Sequence, residues 1–341
     1  MKSKVGIGVI GCGRLARNTH LPRLTRMDQV TVVGVMDILE QPAREAAQKY
    51  NLGFWTTDLD ELLAREDIDA VLVASWTHAH AEPTIKAAQA GKHVFCEKPI
   101  APTVEEAEAM ISACARAGVK LMVGFVRRFD NEWLKLRELI QQGVIGRPVV
   151  WRSVMAAGGG DGSSWFMQRG KGGGVFVDLA VHHFDFARFT FGEPVSLFAS
   201  TRTWQPKATA PDTGTAAIRF AEDDELVLSW SWGIAPGCQG AHLHDVIGPG
   251  PGSGGAIVFS EPAFYRVSME TPHVLTVNKP GGERETYPYE RNDIYMDELQ
   301  HFVQCILEDT QPQVGGNDGR KALEISLAVL GGGQKQEVIQ F

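Results

Sequence analysis

Short apolar runs alternate with amphipathic stretches along the first 125 residues of the chain. The runs at 5–10, 30–36, 70–74, 93–97 and 121–125 have the length and aliphatic texture of strands buried on both faces. Between them, 41–50, 79–90 and 103–117 carry apolar residues at helical spacing, and 58–63 starts a shorter helix. Gly91 and Gly118 stand where two of these helices should end. This alternation predicts a doubly wound parallel sheet. A helix over 131–142 closes the region.

The texture changes from residue 149. Strand-like runs at 149–155, 195–203, 215–220, 226–232, 256–259 and 273–277 follow one another, separated by turn signals such as Asp223-Asp224 and Pro280-Gly281-Gly282. One helix, over 177–191, interrupts them, and helices at 295–307 and 320–330 end the pattern, expected to return toward the first domain. The Gly/Pro-rich stretch 248–255 reads as a mobile surface loop. The expected fold class is therefore α/β: a doubly wound domain over 1–127, then an α+β domain over 128–341 with a mostly antiparallel sheet.

Composition narrows the classes. A length of 341 residues favours two domains, and 44% apolar with 22% charged residues is ordinary for a globular protein. A net charge of −8 speaks against non-specific nucleic-acid binding. Five scattered cysteines without a C-x-x-C pair suit a reducing cytoplasm and no structural zinc. No apolar run approaches membrane-spanning length, and the opening one is broken by glycines, unlike a signal peptide.

Candidate chemistry begins at the end of the first run. Gly11, Gly13 and Ala16 follow G-x-G-x-x-G/A spacing. Gly11 permits the tight turn, Gly13 lets a pyrophosphate approach the backbone, and Ala16 lets helix and strand pack closely. The helix start then offers N–H groups to phosphate. The second run ends in Asp37, where a dinucleotide-binding unit keeps the acid that accepts from the ribose hydroxyls. No arginine follows in Ile38-Leu39-Glu40 to neutralise a 2′-phosphate, so NAD is expected rather than NADP. The plain alternative is that Asp37 caps the next helix.

Two further motifs carry a resemblance. Glu97-Lys98-Pro99 lies at the carboxyl end of a strand, where open α/β sheets bind ligands. Asp178 and His182 stand four residues apart, on one face of the helix expected over 177–191. With the glycine-rich opening, these resemble the Gfo/Idh/MocA oxidoreductases, the family of glucose–fructose oxidoreductase and inositol dehydrogenase. Ser75-Trp76-Thr-His-Ala-His80 and Gly124-Phe-Val-Arg-Arg-Phe-Asp130 are similar to its myo-inositol 2-dehydrogenases, whereas 156–162 departs from them and leaves the polyol or sugar open.

The resemblance implies a Rossmann domain, then a domain whose open sheet often mediates oligomerisation, hence a homodimer or homotetramer. It implies cofactor contacts from Gly11, Gly13, Arg14, Leu15, Asp37, Ile38, Ser75, Trp76, His80, Glu97, Lys98 and Arg128. Substrate would meet Lys98, Arg128, Trp165, Asp178 and His182. His182 would be the general base, Asp178 its partner on the substrate, and Lys98 the polarising cation. Imidazole, with an ordinary pKa of about 6.5, suits proton removal at neutral pH. The implied activity is oxidation of a secondary hydroxyl; a hydride-recycling sugar enzyme and a non-catalytic NAD(P) sensor are the alternatives.

Neighbouring groups have blander readings. Asp185 is either a second substrate residue or a packing residue, and His183 faces another way. Adjacent histidines on a helix diverge by about 100°, which argues against one metal taking both. His242 and His244 would share a strand face; Trp151, Trp204, Trp230 and Trp232 are expected mainly in the core.

Overall fold

Gly11 ends the first strand, β1 (Val5–Ile10), and the chain then winds through a π-helical turn (Ala16–His20) into α1 (Leu21–Leu24). The computed structural model describes residues 3–235, 238–250, 255–258, 273–335 and 337–341. β2 (Val30–Met36), α2 (Glu40–Lys49), β3 (Trp55–Thr56), α3 (Leu59–Leu63), β4 (Ala70–Val73) and α4 (Ala81–Gln89) follow. Then come β5 (His93–Cys96), α5 (Val104–Ala117) and β6 (Leu121–Val123). The six strands form one sheet in the order β3-β2-β1-β4-β5-β6, every pair parallel. β1 and β4 are buried at every position, as their unbroken apolar runs require. Local chemistry sets the helix ends: Asp58 and Thr103 accept hydrogen bonds from the first-turn amides of α3 and α5, and Gly118 ends α5 at φ +67°.

α6 (Asn131–Gln141), capped by Asp130, leads into β7 (Val150–Ala156). After α7 (Val175–Asp178) and α8 (Val181–Phe191) come β8 (Pro194–Arg202), β9 (Thr213–Phe220), β10 (Glu225–Ser231) and β11 (Ala241–Gly248). β12 (Gly255–Val258), β13 (Val274–Asn278), β14 (Arg284–Pro288), α9 (Ile294–Leu307), α10 (Gly316–Lys335) and β15 (Val338–Gln340) complete the chain. Among the described residues the second sheet has nine strands, β14-β13-β12-β11-β7-β10-β9-β8-β15, antiparallel except for β7 beside β10. Trp151, Phe184, Phe186 and Phe220 are among its unit's fully buried side chains.

Several boundaries differ from the sequence reading. The chain divides into one compact unit of 1–129, 170–172 and 293–324, and a second of 130–169, 173–292 and 325–341. α9 and the start of α10, the helices expected to return toward the first domain, fall in the first unit. The ion pair Arg23–Asp293, 2.7 Å, and Lys120–Asp309, 2.8 Å, are among the ties that hold them there. The helix expected over 177–191 is broken, with Leu179 and Ala180 between α7 and α8. β14 and β15 are sheet-edge strands that are short or strongly polar, so alternation alone did not mark them. The supposed loop at 248–255 begins as the last residue of β11 and ends as the first of β12; its middle, 251–254, lies outside the described residues.

Candidate active site

In a parallel sheet, every strand delivers the residue after it to one edge. Gly11, Asp37, Ser75 and Lys98 thus follow β1, β2, β4 and β5 on the same edge. At Gly11, φ is +91° and an added Cβ would fall 2.7 Å from the Ser75 amide nitrogen, so a side chain is excluded twice over. A Cβ on exposed Gly13 would meet nothing within 4 Å, which leaves room for a phosphate over the loop. Ala16 is fully buried, as its packing role requires. A helical turn starts at Arg14 and Leu15, and a helix start leaves its first amides without intrahelical acceptors, which suits an anion.

Asp37 is held at the end of β2 by two backbone donors: Cys12 N–H reaches Oδ2 at 2.8 Å and Leu39 N–H reaches Oδ1 at 2.9 Å. The carboxylate is thereby tied to the glycine loop itself, more than a cap for α2. Ile38 and Leu39 beside it are exposed apolar side chains, 68% and 56% accessible. Burial and then the Asp37 charge push the Cys12 thiol up to about 12, which leaves it a packing residue rather than a nucleophile. These features fit an adenine dinucleotide: a glycine cradle with open space, a helix start, and an oriented carboxylate.

The ends of β4 and β5 are built differently. Exposed Trp76 stacks on His78, with ring centroids 5.6 Å apart. His80 is buried, its Nδ1 3.0 Å from the Pro99 carbonyl oxygen and its Nε2 3.1 Å from that of Ser75. Burial holds its pKa down, partly offset by those carbonyls, so the neutral ring donates to one of them at a time. His80, expected to touch cofactor, is a strut between the two strand ends.

Glu97, also expected at the cofactor, is buried and faces inward. Its Oε1 lies 2.6 Å from His20 Nε2, and its Oε2 accepts the Lys98 backbone N–H at 3.2 Å. Burial opposes the Glu97 charge, yet the His20 hydrogen bond and charge, then Lys98, hold its carboxyl below the ordinary range. Lys98 itself is half-buried at the sheet edge, and its peptide bond to Pro99 is cis.

His20 escaped the sequence reading; the local signal is of an unusual turn, not of a partner for the ring. Pro22 sits two residues later, inside a helical pattern. Proline has no N–H, and its ring would clash with the carbonyl four residues earlier. The chain answers with the wider π turn, in which Pro22 leaves the Arg17 carbonyl without a helical donor. Tyr50 Oη–H donates to that oxygen instead, and Arg23 Nη1 donates to Thr19 O at 2.8 Å. The turn carries His20 to Glu97.

In the second unit, Gly174 precedes α7 at φ +77°, and an added Cβ there would meet the Pro211 carbonyl oxygen at 2.3 Å. Asp178 ends α7, and His182 lies in the first turn of α8; both are half-buried while Val177, Ala180, Val181 and His183 are buried. The pair is therefore a feature of a helix junction, not of one continuous helical face. Asp185 is fully buried. His183 joins an aromatic bed with Trp133, Trp151, Trp230 and His244, its ring centroid 4.7 Å from Trp230. Trp151 Nε1–H donates to His244 Nε2 at 2.6 Å, so His244 is also engaged in that bed.

The remaining candidates divide. Trp165 is half-buried in a short 3-10 turn, edge-on to Phe166 at 5.9 Å. Trp151 and Trp230 are core as expected, whereas Trp204 is 62% exposed and Trp232 half-buried, against expectation. Arg128 is buried in the first unit, where its guanidinium donates to Asp318 Oδ1 at 2.9 Å and to the Gln313 carbonyl at 3.3 Å. Those bonds tie α10 to the turn after β6.

Fold and sheet edge together define a dinucleotide-binding oxidoreductase. Residues 5–125 match the oxidoreductase family with an NAD-binding Rossmann fold, and residues 133–246 match the GFO/IDH/MocA C-terminal domain. The chain is 33% identical over 331 residues to a myo-inositol 2-dehydrogenase of Thermotoga maritima, covering 94% of each chain. It is 29% identical over 339 residues to an inositol 2-dehydrogenase of Rhizobium meliloti, covering 96% of each. The crystal structure of an aldose-aldose oxidoreductase from Caulobacter crescentus, complexed with glycerol, superposes with a TM-score of 0.84 at 25% identity, over 99% of this chain and 100% of that one. The chain belongs to the Gfo/Idh/MocA oxidoreductase family.

Proposed function

We propose that this protein is an NAD-dependent dehydrogenase that oxidises a secondary hydroxyl of a cyclic polyol or sugar to a ketone. The supporting observation is the single sheet edge shared by the glycine cradle, Asp37 and Lys98, which gathers a dinucleotide site and a cation in one unit. The inositol relatives support the substrate class.

NAD supplies the hydride acceptor. The rest of the chemistry belongs to the chain. His182 takes the hydroxyl proton as hydride leaves the same carbon, giving the ketone and a protonated imidazole. Lys98 stabilises the negative charge that grows on the oxygen as the O–H bond breaks. Asp178 orients the substrate beside His182. Asp37 accepts from the ribose hydroxyls, and its charge repels a 2′-phosphate, which selects NAD over NADP.

The test is a panel of inositols and aldoses followed by NADH absorbance. Turnover with at least one cyclic polyol or sugar, and its loss in His182→Ala with NAD binding intact, is the expected result. Binding of NAD without turnover of any panel member would overturn the reading in favour of a sensor.

A further inference from the structure

The stretch 156–162, where the chain departs from the myo-inositol 2-dehydrogenases it otherwise resembles, opens the loop between β7 and α7. That loop is fastened to the one between β8 and β9, within the second unit. The two backbones approach at points where no side chain fits between them. A Cβ on Gly162 would fall 2.1 Å from the Pro206 carbonyl oxygen, and one on Gly174 would fall 2.3 Å from that of Pro211. Between these points the Met167 carbonyl accepts the Thr209 and Ala210 N–H groups, at 3.1 and 3.0 Å.

One side chain joins both loops. Gln168 Nε2 donates to the Gly162 carbonyl at 2.7 Å and to the Lys207 carbonyl at 3.1 Å, and Oε1 accepts from Thr209 Oγ1–H at 3.0 Å. Thr209 Oγ1 accepts the Arg169 N–H at 3.0 Å in turn. Only a carboxamide makes this set, because a carboxylate there could only accept and an ammonium only donate. Lys207 stands at φ +67°, a conformation that a residue with a Cβ keeps only where its surroundings fix it. Trp165 begins the 3-10 turn that Gln168 caps, and the Gln168 N–H donates to the Trp165 carbonyl at 3.1 Å. The next ring, Phe166, is edge-on to Trp232 at 5.6 Å.

We propose that Gln168 is a positioning residue: it pins the loop that carries Trp165 to the 203–212 loop, and through Trp165 it sets which ring the enzyme accepts. An indole meets a polyol through the C–H face of the ring, a contact with no direction of its own. Its selectivity therefore depends on how firmly the indole is held. The bonds that break during oxidation lie elsewhere, so loosening the pin costs substrate binding and discrimination rather than rate. The proposal rests on the dehydrogenase reading and on Trp165 as a substrate contact.

Its test uses the full chain with 5-fluorotryptophan incorporated. The 19F line of Trp165, assigned by its loss in Trp165→Phe, should be single and narrow in the wild type and broadened or split in Gln168→Leu. Gln168→Leu and Gln168→Glu should each raise KM for the best polyol or sugar about three- to tenfold, the worth of an ordinary hydrogen bond, with kcat and KM for NAD little changed. The preference in kcat/KM for that substrate over its epimer should shrink by a similar factor. Thr209→Val should reproduce a part of these losses and Thr209→Ser, which keeps the hydroxyl, should restore them. Gln168→Leu combined with Thr209→Val should lose less than the two single losses together, since both remove one shared bond. An unchanged Trp165 line and unchanged KM in Gln168→Leu, or a loss that falls on kcat alone, would overturn the proposal. So would a Trp165→Ala enzyme with wild-type KM and preference. If Gln168→Leu does not fold, the two Thr209 variants decide the matter. A wild type that turns over no panel member would instead remove the dehydrogenase reading, while the 19F line still reports whether Gln168 fixes the loop.

Discussion

Lys98 and His182 reach half-exposed positions by opposite routes. Around Glu97, the residue before Lys98, the chain has packed further titratable groups, His20, Glu298 and Tyr295, fully or largely buried. Next to His182 in the chain stand buried Val181, His183 and Phe184, of which His183 joins the aromatic bed. The Lys98 backbone N–H is tied to the titratable network through Glu97 Oε2. His182 stands half-buried in the first turn of α8, between buried neighbours in the chain. On the proposed function, Lys98 is the cation that stays charged and His182 the group that changes charge once per turnover.

The largest expected effect tests the His182 side. His182→Ala should lose about 10²–10⁴-fold in kcat, the usual worth of a placed proton acceptor, while an NAD fluorescence titration stays near wild type. Lys98→Ala should lose comparably, and Lys98→Arg should recover little, since a planar fork does not replace a compact ammonium. The comparison then predicts a contrast. Glu97→Gln, which alters the network, should impair the enzyme nearly as much as Lys98→Ala, whereas Leu179→Met at the α7–α8 junction should leave kcat within a few-fold. Equal sensitivity at the two positions would end the contrast.

Gly11→Ala comes next. A positive φ and a 2.7 Å approach to the Ser75 backbone leave the methyl no room, and the obstacle is main chain that cannot rotate away. Strain of about 1–3 kcal/mol is expected, read as a lowered denaturant midpoint together with weakened NAD binding. Asp37→Ser with Ile38→Arg should move the NAD:NADP ratio of kcat/KM by about tenfold or more toward NADP, roughly 1.4 kcal/mol. A wild type that uses both cofactors equally would remove the ribose role from Asp37.

The same contrast marks how far the sequence could be read. The parallel sheet was plain because β1, β4 and β5 are unbroken apolar runs between helices with ordinary caps, where local preference and tertiary packing agree. Gly11, Asp37 and Lys98 could be found because each follows such a strand. The helix at 177–191 misled: Asp178 and His182 keep helical spacing, but Leu179 at φ −111° interrupts the hydrogen-bond ladder between them. His20 and Glu298 were hidden for another reason. Each lies far along the chain from Glu97, and nothing local to either residue says that a carboxylate will meet it after folding.

Glu298 supplies a prediction with a definite sign. Its folded-state pKa is raised, so its contribution to stability is fully present below the unfolded carboxyl value of about 4.3 and is lost as pH rises toward the folded one. Over that window an unfolded chain releases a proton that the folded chain keeps, costing the wild type up to about 1.4 kcal/mol per pH unit. Glu298→Gln has no proton to release there. The stability of the variant relative to wild type, from denaturant midpoints across a pH series, should therefore climb with pH above about 4.3 and level off once Glu298 ionises in the folded protein. A flat difference across the series would mean that Glu298 titrates alike in both states, and the buried network beneath Lys98 would then carry two negative charges rather than one.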